Sequence, residues 1–176
     1  MALSTPSPAR ESPYKAGAFA LALALAAILT AHGFERIGGY PPCELCLQQR
    51  WAYYAGIPAL FLALVVFTTG QGKAAGLLFF LVALAFLANA GLGIYHSGVE
   101  WKFWPGPTTC STALQPLGTG QGGILERLKD TRVVRCDEAA WRMFGLSFAG
   151  WNVVLSMIVF SAALQAAFGA TANRPN

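Results

Sequence analysis

Four runs of this 176-residue chain carry no ionised side chain, and their lengths limit what it can fold into. They are residues 16–34 (19 residues), 51–72 (22), 74–99 (26) and 143–173 (31), the last with its apolar part at 148–168. About 20 helical residues, at 1.5 Å each, cross a hydrocarbon core of roughly 30 Å, so every run is long enough to span a bilayer. None shows the period-two alternation of a barrel strand, and backbone polar groups cannot stay unpaired in lipid; helices remain. The sequence therefore predicts an all-α membrane protein, a four-transmembrane-helix bundle forming one integral membrane domain over residues 1–176. Its spans fall at about 16–34, 51–69, 74–96 and 147–168. Pro58 predicts a local kink in span two. The first run also has features of a cleaved signal peptide, since Arg10 and Lys15 precede an Ala-rich stretch; removing it would leave the next segment on the same side.

Composition excludes several other classes. Asp, Glu, Lys and Arg make up 11% of the chain, under half of the roughly 25% of a soluble domain, while 55% is hydrophobic. Neither a soluble fold nor intrinsic disorder suits that balance. The net charge of +4 comes from singly scattered Lys and Arg rather than a basic run, which argues against nucleic acid as a partner.

Segments between spans alternate sides, so the loops at 35–50 and 97–146 face one compartment, and all four cysteines lie in them. Eleven of the 20 charged residues fall between Glu100 and Arg142, which makes the loop between spans three and four the one sizeable aqueous piece. Two signals for orientation conflict. The cysteine side carries eight Lys and Arg against four on the other, which by the positive-inside rule places it in the cytoplasm. Paired thiols persist in oxidising compartments, and Arg10 and Lys15 precede the first span; both place the cysteines outside and the termini in the cytoplasm. The second placement is adopted. All five tryptophans also lie in or next to the cysteine side. An aromatic belt accounts for most of them, but belts occur at both interfaces, and the excess on one side suits a planar apolar ligand held there.

The chemistry starts at Pro41-Pro-Cys-Glu-Leu-Cys-Leu-Gln-Gln-Arg50. Two prolines stop any preceding element, and a helix starting after them places Cys43, Cys46 and Arg50 on one face. The helix N-terminus and a guanidinium one turn away would both favour a thiolate on Cys46. A structural disulfide or half a metal site would use the same residues. Zinc is disfavoured because Cys110 and Cys136 lie 25 residues apart, unlike the close-spaced pairs of structural zinc sites. A disulfide closing that loop could instead exchange electrons with the first pair by thiolate attack.

Four motifs in order then resemble the DsbB family of bacterial inner-membrane disulfide-forming proteins, over about residues 15–168. They are Pro-Cys-x-x-Cys-x-x-x-Arg ending at Arg50, His96 at the end of span three, Trp104-Pro-x-Pro-Thr-x-Cys110, and Cys136-Asp-x-x-x-Trp-x-x-x-Gly-Leu-Ser-x-x-x-Trp-Asn152. The resemblance implies a quinone-dependent thiol oxidase that regenerates the disulfide of a periplasmic DsbA-like thioredoxin-fold protein, with ubiquinone or menaquinone from the membrane pool as acceptor. It implies that the partner attacks Cys110, that Cys136 is the mate of Cys110, and that Cys43 exchanges with Cys136. Cys46 would face the quinone through a thiolate adduct or charge-transfer contact, Arg50 would stabilise the thiolate and the reduced oxygen, and His96 would lie near the quinone or rest at the headgroup level. Residues 123–130 read as a short amphipathic helix on the membrane, and Arg142 and Asn152 as packing or interfacial residues. Two other readings stay open: an enzyme of the vitamin K epoxide reductase type, where the CxxC is expected late in the chain, and a four-span protein whose disulfides are purely structural.

Overall fold

The computed structural model describes residues 8–107 and 136–172, with side chains from Ser12 onward. Four long helices run in chain order: α1 (Pro8–Arg36), α2 (Glu44–Thr68), α3 (Gly72–Glu100) and α4 (Phe148–Ala172). Each is long and apolar enough to cross a membrane. Between 22 and 39% of each apolar window is covered by the other helices, so most of each surface is left for lipid, with Phe19, Leu29, Phe61 and Leu77 all well exposed. The chain is thus an all-α, four-helix membrane protein.

The helices extend beyond the uncharged runs at the cysteine side, because polar residues near the surface still favour helix once the apolar part has nucleated it. α2 starts seven residues before Trp51, and α3 continues to Glu100, which brings His96 and Glu100 onto one helix a turn apart. Pro58 lies inside α2, which continues past it to Thr68. The turn between α2 and α3 depends on Gly70, whose φ of +86° is a left-handed conformation that costs a residue without Cβ little.

Packing follows the chain around a square: α1 against α2, α2 against α3, α3 against α4, and α4 back against α1, with α2 and α4 on the diagonal. The shared core contains Phe79, Phe86, Leu60 and Val159, all fully buried, among alanines such as Ala20, Ala63, Ala83 and Ala163. Phe86 occupies the notch over Gly56 of α2, where a Cβ would stand 2.6 Å from its Cε2.

After α3 the chain turns back on itself. Trp104 covers Gly98, stacks on Tyr95 with centroids 6.1 Å apart, and donates from Nε1 to the Tyr95 carbonyl at 2.9 Å. Lys102 then reaches Asp137 at 2.6 Å, tying this segment to the one that carries Cys136. The helical reading did not foresee a small antiparallel hairpin before α4, β1 (Arg142–Met143) paired with β2 (Leu146–Ser147). Phe144 and Gly145 both have positive φ, 52° and 81°, as a two-residue turn of the I′ kind requires. The expected surface helix at 123–130 lies outside the described residues.

Candidate functional site

Cys43 is the N-cap of α2. Its backbone is extended (φ −76°, ψ 172°), and its sulfur takes the place that a Ser or Asp oxygen usually holds, accepting the Cys46 N–H at 3.2 Å. The same geometry brings the two thiols together: Cys43 Sγ donates to Cys46 Sγ at 2.8 Å, and both cysteines are free. The hydrogen bond to Cys46, and then burial, push the Cys43 thiol above the ordinary range and keep its proton on. Cys46 is half-buried beside it.

Cys136 packs into one buried cluster with Cys43 and Leu45, and it is disulfide-bonded. Cys110 lies outside the described residues. The two described cysteine positions expected to exchange electrons are therefore neighbours, one a thiol and the other half of a disulfide.

His96 of α3 stands against both. Its Nε2 is 3.6 Å from Cys43 Sγ, its Nδ1 is 2.9 Å from the Gln49 amide of α2, and the ring lies close to the backbone of Cys136. The side chain is 2% exposed, enclosed by protein. One turn on, Glu100 Oε1 is 3.9 Å from His96 Nε2, while Glu100 Oε2 is buried without a hydrogen-bond partner.

Arg50 differs from the sequence expectation in its partner. Its guanidinium is committed to Glu35 at the end of α1, Nη1 to Oε2 at 2.5 Å, rather than to Cys46 alone. His32 approaches the same oxygen at 3.5 Å, and its other nitrogen meets Tyr54 Oη at 3.1 Å. A charged pair and two polar rings thus link α1 to α2.

Cys43, Cys46, Arg50, His96 and Glu100 all line a cavity of about 450 Å³ among the four helices, within the usual size range of small-molecule sites. Phe34, Tyr40, Trp141 and Phe148 form its aromatic wall, with centroids 5.0–6.2 Å apart. Deeper, a polar cluster crosses the bundle: Tyr53 donates to Asn152 Oδ1 at 2.8 Å, and Asn89 donates to Ser156 at 2.9 Å and to Asn152 at 3.3 Å. Asn152 Nδ2 is buried with no acceptor. Arg142 is exposed at the hairpin.

Sequence reasoning missed Glu35, Gln49 and Glu100. Gln49 and Glu100 were legible in principle: Gln49 is three residues from Cys46, and Glu100 is four from His96 once α3 is carried that far. Glu35 gave no signal, since its partner is 15 residues away across a turn.

Cys43, Cys46 and His96 could hold a metal ion, their ligand atoms lying within 4.8 Å of one another. The spacing fits a thiol pair better. Two thiolates on one tetrahedral zinc, with bonds of about 2.3 Å, stand roughly 3.8 Å apart, and these sulfurs are much closer.

A reduced thiol pair, a neighbouring disulfide and an aromatic cavity at one end of a four-helix membrane bundle define a membrane protein of thiol–disulfide chemistry. Comparison with known proteins agrees. The sequence model of the family described as "Disulfide bond formation protein DsbB" matches residues 14–166, and the chain belongs to that family. Proteins named "Disulfide bond formation protein B 2" from Pseudomonas syringae pv. syringae and Pseudomonas savastanoi pv. phaseolicola are 33% and 30% identical to it, each alignment covering 77% of this chain and 78% of the relative. An uncharacterised protein of Rickettsia prowazekii is 25% identical over 78% of this chain and 77% of its own. No solved structure gives a significant match.

Proposed function

We propose that this membrane disulfide bond formation protein is a quinone-dependent thiol oxidase of the bacterial inner membrane. It reoxidises a periplasmic DsbA-like thioredoxin-fold protein and passes electrons from Cys110 and Cys136 to Cys43 and Cys46, and from there to ubiquinone or menaquinone. The observation that carries the reading is the contact of the free Cys43–Cys46 pair with disulfide-bonded Cys136 in one buried cluster at the cavity wall.

The cavity's donor set fits a quinone headgroup. It is apolar and aromatic, and two hydrogen-bond donors, the Arg50 guanidinium and the unpartnered Asn152 Nδ2, are available for carbonyl oxygens. A quinone bound there supplies an acceptor for two electrons and two protons. The chain's own residues do the rest. α2 holds the two sulfurs at exchange distance, burial of Cys43 keeps bulk water from them, and the Lys102–Asp137 pair anchors the segment that brings Cys136 to Cys43.

The test mixes purified chain with a reduced thioredoxin-fold partner and a soluble quinone and follows quinone absorbance. Loss of the quinone band with one partner disulfide formed per quinone supports the proposal. Cysteines that remain unreactive toward the partner would leave a four-span protein with structural disulfides.

A further inference from the structure

Oxidising a thiol pair requires a place for its protons, and nothing described so far takes the one on Cys43. Cys46 accepts the Cys43 hydrogen bond, as a thiolate does; Cys43 is the protonated member. Cys43 is only 6% exposed, away from solvent bases. The groups around it are few. His96 Nε2 lies 3.6 Å from the sulfur and 3.9 Å from Glu100 Oε1, while the Gln49 amide on Nδ1 fixes the ring so that this one nitrogen faces both. Glu100 is itself buried with an empty Oε2, and the groups facing it are His96 on α3, Cys43 and Cys46 at the start of α2, Arg142 on β1 and Ser147 on β2.

We infer that Glu100 is the proton store of the Cys43 thiol, reached through His96. Negative charges within this small, dry site oppose one another: the Cys46 thiolate and the Glu100 carboxylate both oppose a thiolate on Cys43, so its proton leaves for Glu100 as Cys46 gives up its electrons. Moving the proton from sulfur to carboxyl leaves the net charge of the site unchanged, and that makes a Cys43 thiolate accessible there.

The inference rests on the proposed reading of Cys43 and Cys46 as the pair that quinone reoxidises. In that step the Cys43 S–H bond breaks, its proton passes through His96 Nε2 to Glu100, the Sγ–Sγ bond to Cys46 forms, and two electrons leave to the quinone. The Gln49 amide nitrogen stands 2.9 Å from Nδ1, so for Nε2 to accept, the proton must sit on Nδ1 and the amide must rotate to present its oxygen to it. When the loop thiols next reduce the pair, Cys43 departs as a thiolate and takes the proton back from Glu100. The two protons that the quinone needs match the two released to solvent by the partner's thiols, so the cycle balances.

The experiment uses the reduced full chain in detergent without quinone. The reaction of Cys43 with methyl methanethiosulfonate is followed against pH by peptide mass. Glu100→Gln removes the repelling charge, and the midpoint should fall by about one unit or more. In single turnover with a soluble quinone, the same variant should oxidise its pair at least about tenfold more slowly than wild type, having lost the store. Glu100→Asp keeps the charge but draws the carboxyl away from His96; its midpoint should stay at the wild-type value while oxidation slows, which covers the case of a Gln variant that does not fold. An unmoved midpoint in Glu100→Gln overturns the inference, and so does a moved midpoint with an unchanged oxidation rate, which would make Glu100 an electrostatic neighbour alone. Failure of the wild type to reduce quinone would refute the proposed function, and the thiosulfonate titration reads Glu100 separately from that outcome.

Discussion

The Arg50–Glu35 pair should behave as a strong coupling that restrains the cysteine site. With side chains 11% and 31% exposed and Nη1–Oε2 at 2.5 Å, it lies between a surface and a buried ion pair. Unit charges about 4 Å apart attract by about 4 kcal/mol at an effective dielectric constant near 20. Desolvation of Arg50 and the water that reaches Glu35 offset more than half of that, which leaves a net coupling of about 1.5 kcal/mol, in line with hydrogen bonds to charged groups. A double-mutant cycle with Arg50→Gln, Glu35→Gln and the double variant, read from unfolding in mild detergent, should return that value. Removing the Glu35 charge leaves Arg50 uncompensated beside Cys46, so the pH midpoint of iodoacetamide modification at Cys46 should fall in Glu35→Gln, by about one unit for a gain of 1.4 kcal/mol. A coupling within about 0.3 kcal/mol of zero, together with unchanged Cys46 reactivity, would show that the two side chains are independently solvated and that the argument for a held guanidinium is wrong.

Three further outcomes are expected. In reduced cells, a membrane-impermeant thiol reagent should reach the cysteine side from outside; labelling confined to inverted vesicles would reverse the orientation and vindicate the Lys and Arg count. In Cys136→Ser the thioredoxin-fold partner should accumulate as a mixed disulfide on Cys110, since the resolving thiol is gone; cross-linking mainly to Cys43 or Cys46 would reverse the order of transfer. Gly56→Ala should destabilise the bundle by about 1–3 kcal/mol in detergent unfolding, because the added Cβ would stand 2.6 Å from the fully buried Phe86 ring, and a wild-type midpoint would mean that the ring has room to move.

The four spans were legible because charge is costly in hydrocarbon, and a stretch of 19 or more residues without it is the mark that lipid leaves on a sequence. The helix ends were less so. Glu44, Gln48, Gln49 and Arg50 are helical but polar, and an argument built on apolar length stops at Trp51. Ending span three at about residue 96 hid Glu100, whose meaning depends on sharing a helix with His96; Gln49 went unnoticed even though the two prolines had already started α2 ahead of Cys46. Arg50 was placed near Cys46 by helical spacing, yet spacing along one helix carries no information about Glu35 on another. The hairpin at 142–147 escaped notice because two-residue strands have no period to detect.

One consequence lies at the end of the bundle furthest from the sulfurs. There the helices meet through Gly17, Gly76, Gly169 and a succession of alanines on α4; a Cβ on Gly76 would stand 3.1 Å from the Ala167 carbonyl oxygen, and one on Gly169 2.9 Å from Pro13. At the cysteine end, the positions between helices belong to Phe34, Tyr40, Trp141 and Phe148. Small side chains let neighbouring backbones approach closely at one end, while rings line the cavity at the other. A larger residue at Gly76 or Gly169 would therefore reach that cavity only by shifting a whole helix, since neither glycine lines it.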